Sequence, residues 1–151
     1  MDWQDWVGRE EVAKDRLTPA MLARLHATLD RAPAYEAIAP PLAHWLCFLP
    51  AAPQSAVDID GHPKRGGFLP PIDLPRRMWA GGRLQFHADL PVDVPLERKS
   101  TIQSVKEKSG ASGRLVFVTV KHDVSAEGTL VISEEQDLVY REAAIPGAST
   151  P

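Results

Sequence analysis

The sequence predicts an α+β domain in which one antiparallel sheet wraps around a single helix. Three observations carry that reading. A short amphipathic segment is punctuated as a helix at about residues 19–30. The last third of the chain reads as long strands separated by tight turns. At 151 residues, 44% hydrophobic and 25% charged, the chain has the size and composition of one globular domain, enough to bury one face of such a sheet.

In chain order, Glu10–Leu17 (EEVAKDRL) is short and mixed, and leans to a strand. Thr18-Pro19 then opens a helix, because Thr is a favoured N-cap and Pro is favoured at the first helical position. Met21, Leu22, Leu25 and Leu29 follow at helical spacing, with Arg24 and His26 elsewhere on the wheel and Pro33 ending the pattern. PPLAHWLCFLP (40–50) has room for one short buried strand or helical turn. AAPQSAVDIDGHPKRGG (51–67) reads as a long polar loop turning at Asp60-Gly61, and loops of that length in a small domain are often functional. Arg83–Leu90 puts Leu84, Phe86 and Ala88 on one face. Glu97–Lys108, Arg114–Val124 and Thr129–Glu142 are strands, joined by turns at 109–113 and 125–128, and form an antiparallel meander. The domain spans 1–142, and 143–151 (AAIPGASTP, preceded by Glu142) reads as a linker or disordered tail.

Composition excludes several functions. A net charge of −3 lacks the basic footprint of nucleic-acid binding. The single cysteine, Cys47, allows no internal disulfide and no cysteine metal cluster, and between Leu46 and Phe48 it reads as a small buried hydrophobe. The five histidines show no ligand spacing such as HExxH, so no metal is expected. The acidic N-terminus has no apolar run of a signal peptide, and the apolar stretch around His44–Pro53 is too short for a bilayer, so a cytoplasmic protein without membrane contact is expected.

Six strings carry a resemblance: WVGRE (6–10), HWLCFLP (44–50), DGHPKRGGFLPP (60–71), LPRRMWAGG (74–82), LVFVTVKH (115–122) and QDLVY (136–140). Together the chain resembles the N-terminal hot-dog unit of MaoC-like acyl-thioester hydratases/dehydratases, in the itaconyl-CoA and mesaconyl-CoA hydratase subgroup, over about residues 3–142. The resemblance implies a single hot-dog fold and a division of labour between two hot-dog units. One unit holds an Asp/His hydratase pair in a D-x-N-P-x-H segment, and the N-terminal unit shapes the acyl and CoA pocket. Here the corresponding segment is Asp30-Arg31-Ala32-Pro33-Ala34-Tyr35, with Ala for Asn and Tyr for His. Hydration of an enoyl thioester needs a base for water and an acid for the α-carbon. Tyr, with a reference pKa of about 10, replaces His poorly in that role.

The resemblance also frames the stretch FLPPIDLPRRMWAGGRLQF (68–86) as the lip of an acyl-thioester pocket and the start of the strand behind it. Phe68, Arg76, Arg77, Trp79, Ala80, Gly81 and Gly82 are its substrate-binding candidates. Arg76-Arg77 suits a CoA phosphate or a second acyl carboxylate, and equally suits a solvated strand entrance. Gly81-Gly82 permits close approach of a thioester carbonyl to backbone N–H groups, or a tight turn beneath a core Trp79. Asp60-Gly61-His62 reads first as an Asx-type turn with a surface imidazole. Asp30 and His62 are the weak catalytic candidates. His44 reads as a satisfied core or interface histidine, His26 and His122 carry still less functional weight, and His87 faces solvent. Lys106-Glu107-Lys108 and Glu134-Glu135 read as solvated charge runs.

The function that results is the substrate-binding unit of an enoyl-CoA hydratase/dehydratase. Its ligand would be an α,β-unsaturated, branched or dicarboxylic CoA thioester, with CoA as part of the substrate and no separate cofactor. A second hot-dog unit would supply the Asp/His pair, as a separate catalytic subunit or as a part removed by truncation, and a dimer, homo- or heteromeric, is expected. Two alternatives stand beside it: a non-catalytic acyl-CoA-binding or assembly module, and a self-sufficient hydratase using Asp30 or His62.

Overall fold

The computed structural model describes residues 2–32, 36–111 and 113–147. Its elements are β1 (Glu10–Arg16), α1 (Pro19–Thr28), β2 (Arg76–Phe86), β3 (Pro95–Gly110), β4 (Gly113–Ala126) and β5 (Thr129–Arg141), with short 3₁₀ turns at Trp3–Trp6, Ala43–Leu46 and Gln54–Ala56. The strands form one antiparallel sheet in the order β1-β3-β4-β5-β2. The long strands β3, β4 and β5 form the meander, and β1 and β2 are its edges.

The helix begins as the sequence dictates. Thr18 Oγ1 accepts a hydrogen bond from the Met21 backbone N–H at 3.2 Å, and Pro19 occupies the first turn. It ends at Thr28, two residues before the end expected from the pattern, because Asp30 takes a left-handed φ of 55° that no α-helix accommodates. Its buried residues are Leu22 and His26, one turn apart. His26 therefore lies on the buried face and not off it, with Nε2 3.4 Å from Glu36. Leu29, expected on the apolar face, is exposed.

Strand β2 starts seven residues before the expected Arg83 and absorbs the RRMWAGG string. A bulge at Ala80, between Trp79 and Gly81, breaks its register with β5. As an edge strand it leaves Met78, Trp79 and Phe86 about half exposed, so the expected apolar face of Leu84, Phe86 and Ala88 does not form a buried stripe.

Because side chains alternate across a strand, register alone assigns the inner face. On β4 it is Val116, Val118, Val120, His122, Val124 and Ala126. Opposite them on β5 lie Tyr140, Leu138, Gln136, Glu134 and Ile132. On β3 the partners are Val105, Ile102, Ser100, Arg98 and Leu96. The apolar members fall into two buried clusters. One gathers Ile102, Val116, Val118, Val120, Leu138 and Tyr140 with Trp6 and Ile72. The other gathers Leu96, Val124 and Ile132 with Leu17, Leu22 of α1, Ala43 and Phe48. Between them runs a band of five polar residues on three adjacent strands.

Candidate functional site

The polar band is Arg98 and Ser100 on β3, His122 on β4, and Glu134 and Gln136 on β5. Ser100 is fully buried and its Oγ lies 2.7 Å from His122 Nδ1, while His122 Nε2 lies 3.0 Å from Gln136 Oε1. That arrangement fits a neutral imidazole carrying its proton on Nε2, donating to Gln136 and accepting from Ser100. Burial holds the His122 pKa below the ordinary histidine value. The Gln136 hydrogen bond opposes the shift, and the nearby Arg98 charge adds to it.

The turn at Ala43–Leu46 delivers two more groups. His44 Nε2 donates to Glu134 Oε1 at 2.9 Å, and Trp45 Nε1 donates to Glu134 Oε2 at 2.9 Å. Burial pushes the Glu134 carboxyl up, but these two hydrogen bonds and the field of His44 and His122 outweigh it, and the group sits below the ordinary glutamate range. Glu134 is thus no part of a solvated charge run. It occupies an inner-face position and is 5% exposed, whereas Glu135 points outward to Arg83. The turn itself is held in strained backbone. Leu42 and Phe48, on either side of it, have φ of 74° and 61°, and such values in bulky residues cluster at sites where geometry is over-determined. The Phe48 N–H donates to Asp15 Oδ2 at 2.7 Å, which ties the far end of the turn to β1.

Two adjoining cavities open on this band. The larger, about 570 Å³, lies between the inner face and the loop at Phe48–Pro50, with Phe68, Leu69 and Leu138 on its walls. The smaller, about 220 Å³, lies beneath Trp45 and Trp79. Arg98, His122, Gln136 and Phe48 line both. The two tryptophans meet edge to face, with centroids 5.5 Å apart, at the smaller cavity's edge. A mostly apolar hollow with a few convergent polar groups is the common form of a small-molecule site.

Of the residues singled out from sequence, Phe68 and Trp79 line these cavities. The remaining substrate-binding and catalytic candidates, Arg76, Arg77, Ala80, Gly81, Gly82, Asp30 and His62, do not line either. Arg77 is paired with Asp60, Nη2 to Oδ2 at 2.8 Å, and its side chain is 8% exposed, so its charge is already matched. Arg76 is at the sheet edge and donates through Nε to the Glu142 carbonyl at 2.7 Å. Ala80 is the bulge residue. A Cβ at Gly82 would lie 3.0 Å from the Glu135 carbonyl oxygen, and the Trp79 indole N–H folds back onto the Gly81 carbonyl at 2.9 Å. The Gly pair lets this edge strand approach β5 beneath the indole. His62 is exposed, in the turn where Gly61 has φ of 79° and the His62 N–H donates to Asp60 Oδ1. Asp30 is exposed beyond α1, and Pro33, Ala34 and Tyr35 of its segment lie outside the described residues. Cys47 is buried, and its thiol is pushed up to about 11 by burial and the Asp15 charge, which leaves it inert.

Sequence reading missed Arg98, Ser100 and Gln136 and undervalued His122 and Glu134. A signal was present: in LVFVTVKHDV the valines alternate until His122 takes the next inward place, and in TLVISEEQDLVY Glu134 and Gln136 do the same. A polar residue on the inner phase of an otherwise apolar strand marks a site or a network.

The low His122 pKa has a consequence for stability. A folded-state pKa below the unfolded value means that the unfolded chain takes up the proton first. The His122 contribution is complete above about pH 6.5 and is lost as pH falls through its folded pKa. The melting temperature should therefore fall from pH 7.5 to 5.5, and His122→Gln, which keeps a donor and an acceptor, should flatten that slope. An unaltered slope in the variant would refute the assignment.

A five-stranded antiparallel sheet with one helix packed against its inner face is the hot-dog architecture. Among solved structures, the chain is similar to the R-hydratase PhaJ1 of Pseudomonas aeruginosa (TM-score 0.60, 17% identity, 96% of this chain and 92% of that one). It is also similar to the C-terminally truncated HadBC (3R-hydroxyacyl-ACP dehydratase) complex of Mycobacterium tuberculosis (TM-score 0.61, 16% identity, 89% of this chain and 97% of that one). Residues 42–150 match the model of the family hydroxyacyl-thioester dehydratase type 2, and the chain belongs to that family. It is 48% identical over 99% of its length to the mesaconyl-C(4)-CoA hydratase of Chloroflexus aurantiacus, and spans about half (54%) of that relative. The likeness to MaoC-like hydratases inferred from the six strings holds. Among the described residues, no helix is long and apolar enough to cross a membrane, and no three His, Cys, Asp or Glu side chains are gathered as metal ligands.

Proposed function

We propose that this chain is the substrate-binding hot-dog unit of an enoyl-CoA hydratase/dehydratase, with the catalytic Asp/His pair supplied by a second hot-dog unit. Its substrate is an α,β-unsaturated CoA thioester with a branched or dicarboxylic acyl group. The observation that carries this is the state of the polar band. The cavity is shaped to hold an acyl chain, yet its acid and bases are engaged with one another. Glu134 accepts from His44 and Trp45, and His122 is bonded through both nitrogens to Ser100 and Gln136. A general base needs a free lone pair within reach of water; both His122 nitrogens are occupied, and the hydrogen bonds that Glu134 accepts hold its carboxyl below the ordinary glutamate range and so weaken it as a base. The Asp30 segment lacks the Asn and the His that the hydratase motif requires.

The reaction would add the hydroxyl of water to the β-carbon and a proton to the α-carbon, reversibly. The second unit would activate the water and deliver the proton. This chain would hold the acyl group along the sheet, with Phe68, Leu138 and Trp79 as walls. CoA would enter as part of the substrate, and Arg76, at the exposed sheet edge, would meet its phosphates. The edge strand β2, with Met78 and Phe86 exposed, is a natural boundary for pairing with another unit.

The test is a paired assay on the purified chain with itaconyl-, mesaconyl- and crotonyl-CoA. Binding would be followed by Trp45/Trp79 fluorescence and turnover by loss of enoyl-thioester absorbance. Binding of at least one thioester without turnover is expected. Turnover abolished by Asp30→Asn or His62→Ala would show a self-sufficient enzyme, and absence of binding would exclude the substrate-unit reading.

A further inference from the structure

Arg98 is the member of the polar band that the band does not satisfy. It projects from β3 onto the inner face, opposite Val124 on β4 and Ala13 on β1. It is half-buried, and its Nε is enclosed with no hydrogen-bond partner among the described residues. Arg16, Arg77, Arg83 and Arg114 each pair with a carboxylate, but no carboxylate among the described residues lies within ion-pair distance of Arg98. Glu134 has its oxygens occupied by His44 and Trp45, and Glu11 lines the larger cavity without pairing to it. The guanidinium carbon sits 5.1 Å from the Phe48 ring centroid, and Phe48 is fixed by its bond to Asp15. A cation held on a rigid aromatic wall, facing both cavities and lacking an anion, is a pre-organised receptor for one.

We propose that Arg98 recognises a carboxylate on the acyl chain and makes the cavity selective for thioesters of unsaturated diacids. This rests on the reading above that the ligand is an acyl thioester. A CoA phosphate has the same charge chemistry, but the surroundings favour a carboxylate. Val120, Leu138, Phe48 and Phe68 make an apolar wall suited to a short hydrocarbon chain; His122 and Gln136 are the polar neighbours on β4 and β5, and Glu11, Lys14 and Asp15 of β1 also line the cavity. The planar guanidinium fork matches a carboxylate in two parallel hydrogen bonds. Arg76 and Arg77 do not compete for this role, since neither lines the cavity and Arg77 is matched by Asp60.

The experiment compares wild type, Arg98→Met and Arg98→Lys by calorimetric titration with three probes: mesaconyl-CoA, crotonyl-CoA and free mesaconate. Circular dichroism and thermal melting verify the fold. Arg98→Met is expected to weaken mesaconyl-CoA binding on the order of 10- to 100-fold, the worth of a charged hydrogen-bonded contact, and to change crotonyl-CoA binding less than about threefold. Arg98→Lys, which keeps the charge and loses the fork, is expected to fall between and serves as the comparison if the Met variant does not fold. Equal losses for the two thioesters would place Arg98 on the CoA phosphates and overturn the proposal, as would no loss for either. If wild type binds neither thioester but binds mesaconate through Arg98, the thioester reading fails and the carboxylate site stands. If mesaconate also fails to bind, both fall.

Discussion

His44→Ala is expected to lower the unfolding free energy by about 3–5 kcal/mol, the order of cost of leaving a buried charge without its partner. Glu134 is 5% exposed and His44 equally so, and the imidazole donates to the carboxylate at 2.9 Å. Truncation leaves a carboxylate on the inner face with Trp45 as its remaining donor, and the lost imidazole leaves a hollow next to Ala43 and Cys47. A domain of this size has about 5–15 kcal/mol in total, so the effect should be obvious in a urea titration. His44→Gln retains a donor and should cost nearer 1 kcal/mol. Adding Glu134→Gln to His44→Ala removes the stranded charge and should restore part of the loss. A cost below about 1 kcal/mol for His44→Ala would mean that the pair does not hold the turn to the sheet.

That expectation also bears on what the turn is for. Leu42 and Phe48 sit in left-handed backbone, which costs of order 1–3 kcal/mol each and persists when neighbouring contacts over-determine it. The His44–Glu134 and Trp45–Glu134 bonds and the Phe48–Asp15 bond are those contacts. They set Phe48 beneath Arg98 and Trp45 against Trp79, so the cavity's shape depends on the Glu134 carboxylate.

Much of the fold was legible because its cues are local. Thr18-Pro19 caps and starts a helix by its own side-chain chemistry, and the turns at 109–113 and 125–128 delimit three strands whose β-branched residues leave little choice. The strand at 76–86 was harder to read because Pro, Gly and a bulge disguise an edge strand, whose residues face solvent and lose the alternation that identifies buried strands. The site was harder still. Arg98, Ser100, His122, Glu134 and Gln136 are separated by up to 38 positions in sequence and meet through register alone. In one dimension Glu134-Glu135 is a charge pair; the pleat sends one carboxylate to the core and the other to Arg83. His26 was misplaced for a related reason. It lies one turn after Leu22, the most buried residue of the helix, and joins the face that Met21, Leu22 and Leu25 turn to the core, while Leu29 stands exposed at the helix end.

On the proposed reading, adding a second hot-dog unit should produce the largest change in activity. Purified with a separate chain corresponding to the part of the Chloroflexus aurantiacus relative that this chain does not match, the protein is expected to hydrate mesaconyl-CoA at a rate on the order of 10²–10⁴ times that of either chain alone, the range that a positioned acid and base contribute. Among the described residues of the cavity, every imidazole nitrogen and carboxylate oxygen of His122 and Glu134 is engaged, and Asp30 is exposed beyond the end of α1. Neither His122 nor Glu134 therefore stands free on the inner face to take a proton from water. Alanine replacement of the Asp or His in the added chain should remove the gain with thioester binding retained. A chain that turns over mesaconyl-CoA alone, at the same rate with and without the added half, would place the reaction in this domain and require Glu134 or His122 to leave its present partners during catalysis.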